Sequence, residues 1–260
     1  MRPRSRRLWP WQLALFVALL VLWHALTRIG WLSPFFFGQP LAVGRVLVGW
    51  LGDASIFRHL GVTLLETLLA FAGGTLAGVA LGLWLALSPL AAALLDPYIK
   101  AVNAMPRVVL APIFAMWFGL GIWSKVALGV TLVFFIVFFN VYQGVKDVNP
   151  VLVDNARMLG ATRRHLLRHV YWPSALAWVF SSLHSAVGMA FVGAVVGEYL
   201  GSAQGVGYLI LQAEGSFDID AVIAGIVVLT LCALLLDGFV TRLERRLLRW
   251  RPGPADAPGH

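Results

Sequence analysis

Asn149-Pro150-Val151-Leu152-Val153-Asp154-Asn155-Ala156-Arg157-Met158-Leu159-Gly160-Ala161-Thr162-Arg163-Arg164-His165-Leu166-Leu167-Arg168-His169-Val170-Tyr171-Trp172-Pro173 forms a polar loop between two apolar runs. Asn149 is a residue type that accepts a hydrogen bond from the first turn of a helix, and Pro150 suits the first helical position. Gly160 can close that helix in a left-handed conformation, and Thr162 can cap a second one with a basic face. The stretch therefore predicts a short helix–turn–helix. Val151, Met158 and Leu159 offer apolar surface to a partner groove, with Asp154 and Arg157 on its rim. An amphipathic helix lying on anionic lipid fits the same periodicity.

The composition around this loop sets its surroundings. Of 260 residues, 60% are hydrophobic and 12% charged, about half the charge of an average soluble domain. Lipid must therefore be the solvent for most of the surface. With about 20 apolar residues needed per crossing, six runs are candidate spans: 11–29, 61–87, 97–118, 124–144, 172–198 and 220–240. The chain is thus expected to be an all-α membrane protein with six transmembrane helices. Between the first two runs, Leu41–Leu51 is apolar but short, which predicts an interfacial helix. The apolar run from Leu8 to Thr27 exceeds the core of a signal peptide, so it is read as a retained first helix.

Basic residues set the orientation. Arg2, Arg4, Arg6 and Arg7, the loop Lys146–Arg168 and the tail Arg242–Arg251 fall on one side if the spans are even in number, and that side is expected to be cytoplasmic. This divides the chain into a cytoplasmic segment 1–10, a membrane domain 11–250 with the loop 145–172, and a disordered tail 251–260. Such placement sets topology and excludes a nucleic-acid footprint. Small residues at four-residue spacing, Gly74, Gly78 and Gly82 in the second span and Gly193, Gly197 and Gly201 in the fifth, predict close helix packing.

Candidate chemistry is sparse. The lone Cys232 rules out an intrachain disulfide. His165 and His169 share a helical spacing but lack a third metal ligand. The lysines are Lys100, Lys125 and Lys146, and none follows a glycine, so a Gly-rich ATP-binding loop is absent. Ser181, Ser182, His184 and Ser185 invite an intramembrane enzyme, yet Gly-x-Ser-x-Gly is missing. A secondary carrier would need broken helices and internal repeats, and no repeat stands out. Glu66, Glu198 and Asn140 are ionisable or polar groups in or near spans, and so are candidates for the pathway or for a soluble partner. Glu66 and Glu198 are expected near outer ends, within reach of water. Asp237 is expected to pair with Arg242 or lipid headgroups. Trp9, Trp11, Trp31, Trp172 and Trp250 fall near expected interfaces.

The loop resembles the signature loop of binding-protein-dependent importer permeases: Glu-Ala-Ala, three residues, Gly, nine residues, Ile-x-Leu-Pro. Asp154, Asn155 and Ala156 stand at the triplet, Gly160 at the glycine, and Val170, Trp172 and Pro173 at the end. Every spacing agrees, while Asp154, Asn155, Val170 and Trp172 depart in identity. Leu95-Asp96-Pro97-Tyr98, Met105-Pro106, Trp117-Phe118-Gly119-Leu120-Gly121, Gly197-Glu198-Tyr199-Leu200-Gly201 and Gly205-Val206-Gly207-Tyr208-Leu209 are similar to the nitrate/sulfonate/taurine permease family.

The resemblance implies a type I permease fold and a non-catalytic bacterial inner-membrane subunit. Its expected partners are ATP-binding-cassette ATPase subunits that use ATP and Mg, an extracytoplasmic substrate-binding protein, membrane lipid and a second permease copy, as a homodimer. The helix Pro150–Leu159 would dock on the ATPase through Asp154, Asn155, Ala156, Arg157 and Leu159, with Gly160 fixing its angle and Pro173 closing the motif. The expected solute is a small anion such as nitrate, an alkanesulfonate or taurine, with a thiamine precursor or other heterocycle as the alternative.

Overall fold

The computed structural model describes residues 5–247, and its regular elements are helices. In order they are α1 (Ser5–Ile29), α2 (Pro34–Phe37), α3 (Pro40–Gly52), α4 (Ser55–Ala86), α5 (Pro89–Ala104), a 3-10 turn (Arg107–Leu110), α6 (Ala111–Phe118), α7 (Ile122–Lys146), α8 (Pro150–Met158), α9 (Arg163–Leu166), a π turn (Leu167–Tyr171), α10 (Trp172–Leu200), α11 (Val206–Gly215) and α12 (Ile219–Leu247). The expected tail 251–260 and Trp250 lie outside the described residues. Helix α1 starts at Ser5, so most of the expected N-terminal segment is helical and runs into the first span.

Among the described residues, five helices are long and apolar enough to cross a membrane, and they include the expected runs 11–29, 61–87, 124–144, 172–198 and 220–240 to within a few residues. The run 97–118 differs. It is split between α5 and the helical segment Arg107–Phe118, which bend by 84°. The cause is local: Pro106 has no N–H to give to the ladder and pushes Met105 out of the helical region, and Met105 sits at φ −70°, ψ 134°. The sixth crossing exists only if this bent pair counts as one span. The run Leu41–Leu51 lies in the apolar 13-residue helix α3, too short to span, and Asp220 at the start of α12 accepts the Gln39 backbone N–H at 2.7 Å to hold the N-terminus of α3.

Helices α4, α7 and α10 form the core, with α12, α11 and α3 packed around it. Glycine makes this possible. A Cβ at Gly78 would come 2.9 Å from the Cβ of Val137, and one at Gly193 would come 2.5 Å from the Cα of Gly129. The backbones of α4 and α10 thus touch α7 directly, as small-residue faces allow inside a bilayer, where dispersion contacts drive association. Val133, Val137 and Val141, all nearly inaccessible, fill the ridge between α4 and α7.

Candidate functional site

The loop between α7 and α10 is built as its residues dictate. The Asn149 side chain accepts the Val151 N–H at 2.9 Å, and Pro150 opens α8. At the other end Gly160 has φ +83°. The Ala161 N–H donates to the Ala156 carbonyl and the Gly160 N–H to the Arg157 carbonyl, both at 2.9 Å. This pair of bonds is a Schellman closure, which uses carbonyls that would otherwise be orphaned.

Thr162 caps the next helix, but that helix is not an independent element. After four residues α9 runs through the π turn into α10, so the basic residues Arg163, Arg164 and Arg168 decorate an extension of the span. Pro173 cannot donate to the ladder, and the widened π turn precedes it. The loop is pinned at its base by Ser174, whose hydroxyl donates to the Gly144 carbonyl at 2.6 Å.

Helix α8 stands out from the bundle. Val153 is its one buried side chain. Met158 is 86% and Leu159 89% exposed, with Val151 and Leu152 exposed beside them. Asp154 and Arg157 pair across one turn at 3.3 Å on the same exposed helix, Asn155 is exposed and Ala156 half-buried. Pro173 is exposed at the start of α10. His165 and His169 stack at 6.1 Å, with ring nitrogens engaged by Thr162 and a backbone carbonyl. Among the described residues no three His, Cys, Asp or Glu side chains are grouped to hold a metal ion.

The intramembrane candidates separate into three environments. Asn140 is half-buried and donates to its own helix at Ile136. Glu66 and Glu198 lie inside the helix packing at 1% and 0% exposure, so neither carboxyl reaches the surface of the chain. They face each other, with Lys125 close by. One Glu198 oxygen accepts the Thr63 hydroxyl at 2.7 Å and the other the Gly207 N–H at 2.8 Å. Thr63 in turn accepts the Val206 N–H, and the Gly205 N–H donates to His59. Lys125 donates to the Leu120 and Gly121 carbonyls at 2.5 and 3.0 Å. The knot ties α4, α7, α10 and α11 together, and a Cβ at Gly207 would press on the Glu198 side chain.

The third environment corrects an expectation. Asp237 does not pair with Arg242, which donates to the Gly238 carbonyl. It reaches across to α10 and meets His184, Nε2 to Oδ1, at 2.6 Å. Neither this pairing nor the part of Lys125 in the glutamate knot was visible along the sequence, because each joins residues far apart in it. In the polar stretch of α10, Ser182 is buried and donates to its own helix at Val179.

With this geometry in place, comparisons with known proteins are informative. Residues 78–249 match the model of the family described as binding-protein-dependent transport system inner membrane component. The chain is 34% identical to the formylaminopyrimidine transport permease protein ThiX of Halalkalibacterium halodurans, covering 91% of this chain and 94% of that protein. It is 32% identical to the taurine transport system permease protein TauC of Escherichia coli, over 95% and 94%. In fold it is similar to a chain of the MetNI methionine ABC transporter in an inward-facing conformation, with a TM-score of 0.63 and 17% identity over 74% of this chain and 95% of that one.

Proposed function

Since the chain belongs to the family of binding-protein-dependent transport system inner membrane components, and is the membrane permease of an ATP-binding-cassette importer, we propose that α8 is the element through which a separate ATPase drives it. The observation that carries this is the exposure of Met158 and Leu159 on a helix closed so firmly by Gly160. Two large apolar side chains, almost fully exposed outside the apolar spans, call for a protein groove. The spacing from Asp154 through Gly160 to Pro173 supports the same reading.

In this scheme α8 seats Leu159 and Met158 in a groove of the ATPase, with Asp154, Asn155 and Arg157 on the rim and Ala156 against the bundle. ATP and Mg act on the partner subunit, whose closure moves α8. Because α9, the π turn and α10 are continuous and Ser174 ties α10 to α7, motion of α8 is passed to the core as a switch between two packings. Two copies of the chain enclose the pathway, the side bearing α8 and both termini is cytoplasmic, and a binding protein delivers the solute from the opposite side. The solute belongs with small anions and zwitterions such as nitrate, alkanesulfonates and taurine, or with small heterocycles such as the formylaminopyrimidine for which a similar permease is named.

The test is recovery of partners from detergent-solubilised native membranes with the tagged chain as bait. An ATP-binding-cassette ATPase is expected in the eluate and is expected to vanish when residues 154–160 are scrambled. A folded bait that retains no ATPase, under conditions that preserve a known importer, contradicts the reading.

A further inference from the structure

The pair His184–Asp237 is the polar feature of the membrane region that packing does not explain. A tie whose only role is to join two helices is normally buried, because ionisable side chains within a span are costly to leave facing hydrocarbon. Here the side chains remain 49% and 55% exposed. They open onto a cavity of about 450 Å³ between α10 and α12, whose wall also includes Ser185, Gly188, Met189 and Phe191. Ser181, His184, Ser185 and Gly188 are exposed along one face of α10. A stripe of small and polar residues on the face turned away from the core suits water and solute, and is a poor surface for lipid. The volume falls in the range of small-molecule sites.

The donors and acceptors select the chemistry. Asp237 uses Oδ1 for the imidazole, leaving Oδ2 as an acceptor. His184 keeps Nδ1, and the Ser185 hydroxyl can donate or accept. Beside the Asp237 carboxylate, the imidazole can at most balance its charge. A bare anion therefore gains no net attraction here and meets the Asp237 carboxylate. A solute with an N–H or ammonium group gains a charge-assisted bond, while Met189 and Phe191 cover its apolar part.

We propose that the cavity between α10 and α12 is a solute subsite on the translocation pathway. It takes a small solute that offers an N–H or ammonium donor to Asp237 and an acceptor to Ser185 or His184, as a zwitterion or amino-heterocycle does and a simple inorganic or alkyl-sulfonate anion does not. The inference rests on the permease reading and narrows its solute.

Thiol labelling of the assembled importer in membranes tests it. Cys232 is the single cysteine and is buried, so a Cys232→Ala background is silent. In that background Gly188→Cys, whose added side chain meets nothing within 4 Å in the cavity wall, is expected to react with a membrane-impermeant charged thiol reagent at least about tenfold faster than Leu15→Cys, placed on the apolar surface of α1, as a watered face requires. Taurine and 4-aminopyrimidine, added at millimolar concentration, are expected to slow the Gly188→Cys reaction, whereas nitrate and ethanesulfonate leave it unchanged. Adding Asp237→Asn is expected to abolish that protection.

Labelling no faster than Leu15→Cys in a complex that still hydrolyses ATP would overturn the pathway assignment and leave the permease reading standing. Fast labelling with no protection by any of the four, or with protection by nitrate and ethanesulfonate, would overturn the solute class. A complex with no ATP hydrolysis in response to a binding protein, even before substitution, would overturn the permease reading itself.

Discussion

Gly160→Val is expected to abolish ATP-coupled uptake while the chain still inserts and accumulates in the membrane. Gly160 sits at φ +83° with nothing within 4 Å of where a Cβ would stand, so the effect is not one of space. It is conformational: a β-branched residue held in the left-handed region costs about 1–3 kcal/mol, and α8 escapes that cost by unwinding its last turn. The bonds from Ala161 to Ala156 and from Gly160 to Arg157 are then lost, and Met158 and Leu159 no longer leave the helix at a fixed angle. Only Val153 and the half-buried Ala156 hold α8 to the bundle, so little else restores the direction. Gly160→Asn, which tolerates the left-handed region, is expected to keep most of the uptake. Asp154→Lys is expected to fail as Gly160→Val does, through charge at the docking rim. Initial rates of solute uptake, normalised to membrane abundance, check all three; normal uptake by Gly160→Val contradicts the role given to α8.

Glu198→Ala is expected to destabilise the chain more than any substitution on α8. The carboxylate is fully buried and accepts from both the Thr63 hydroxyl and the Gly207 N–H. Its removal leaves the Thr63 hydroxyl and the Gly207 N–H unpaired inside the packing. Each buried donor left without a partner costs about 1–3 kcal/mol. Glu198→Gln keeps the shape and one acceptor and is expected to recover part of the loss. The melting temperature of the detergent-purified protein is the measurement: a large drop for Ala with an intermediate value for Gln is expected. An unchanged melting temperature for Glu198→Ala would show that the knot contributes nothing.

The parts of this molecule that were legible in sequence are those governed by local rules. Apolar runs marked the crossings, and Asn149, Pro150 and Gly160 marked both ends of α8, because capping and left-handed closure involve residues a few positions apart. Glycines at four-residue spacing announced close packing on α4 and α10, although not that α7 would be the partner of both or that Val133, Val137 and Val141 would fill its seam with α4. The bend at Met105–Pro106 was signalled by the proline, yet a run of apolar residues reads the same whether it crosses straight or turns back by 84°. The two polar sites were the least legible. Glu66 and Glu198 read as groups near water because their helix ends are near water. Their burial depends on Lys125 and on the Gly205–Gly207 turn, which only the assembled bundle brings to them. His184 and Asp237 each read as isolated, and a separation of 53 positions along the chain conceals that α10 and α12 run side by side.

The central claim, that α8 is gripped by a separate ATPase, is tested most directly by cross-linking from Leu159. In a Cys232→Ala background, Leu159→Cys in the native membrane, treated with a short thiol-to-amine cross-linker, is expected to give one dominant adduct whose added mass is that of an ATP-binding-cassette ATPase. Its yield is expected to change when ATP is bound. An importer that remains active while Leu159→Cys couples to no ATPase would contradict the claim.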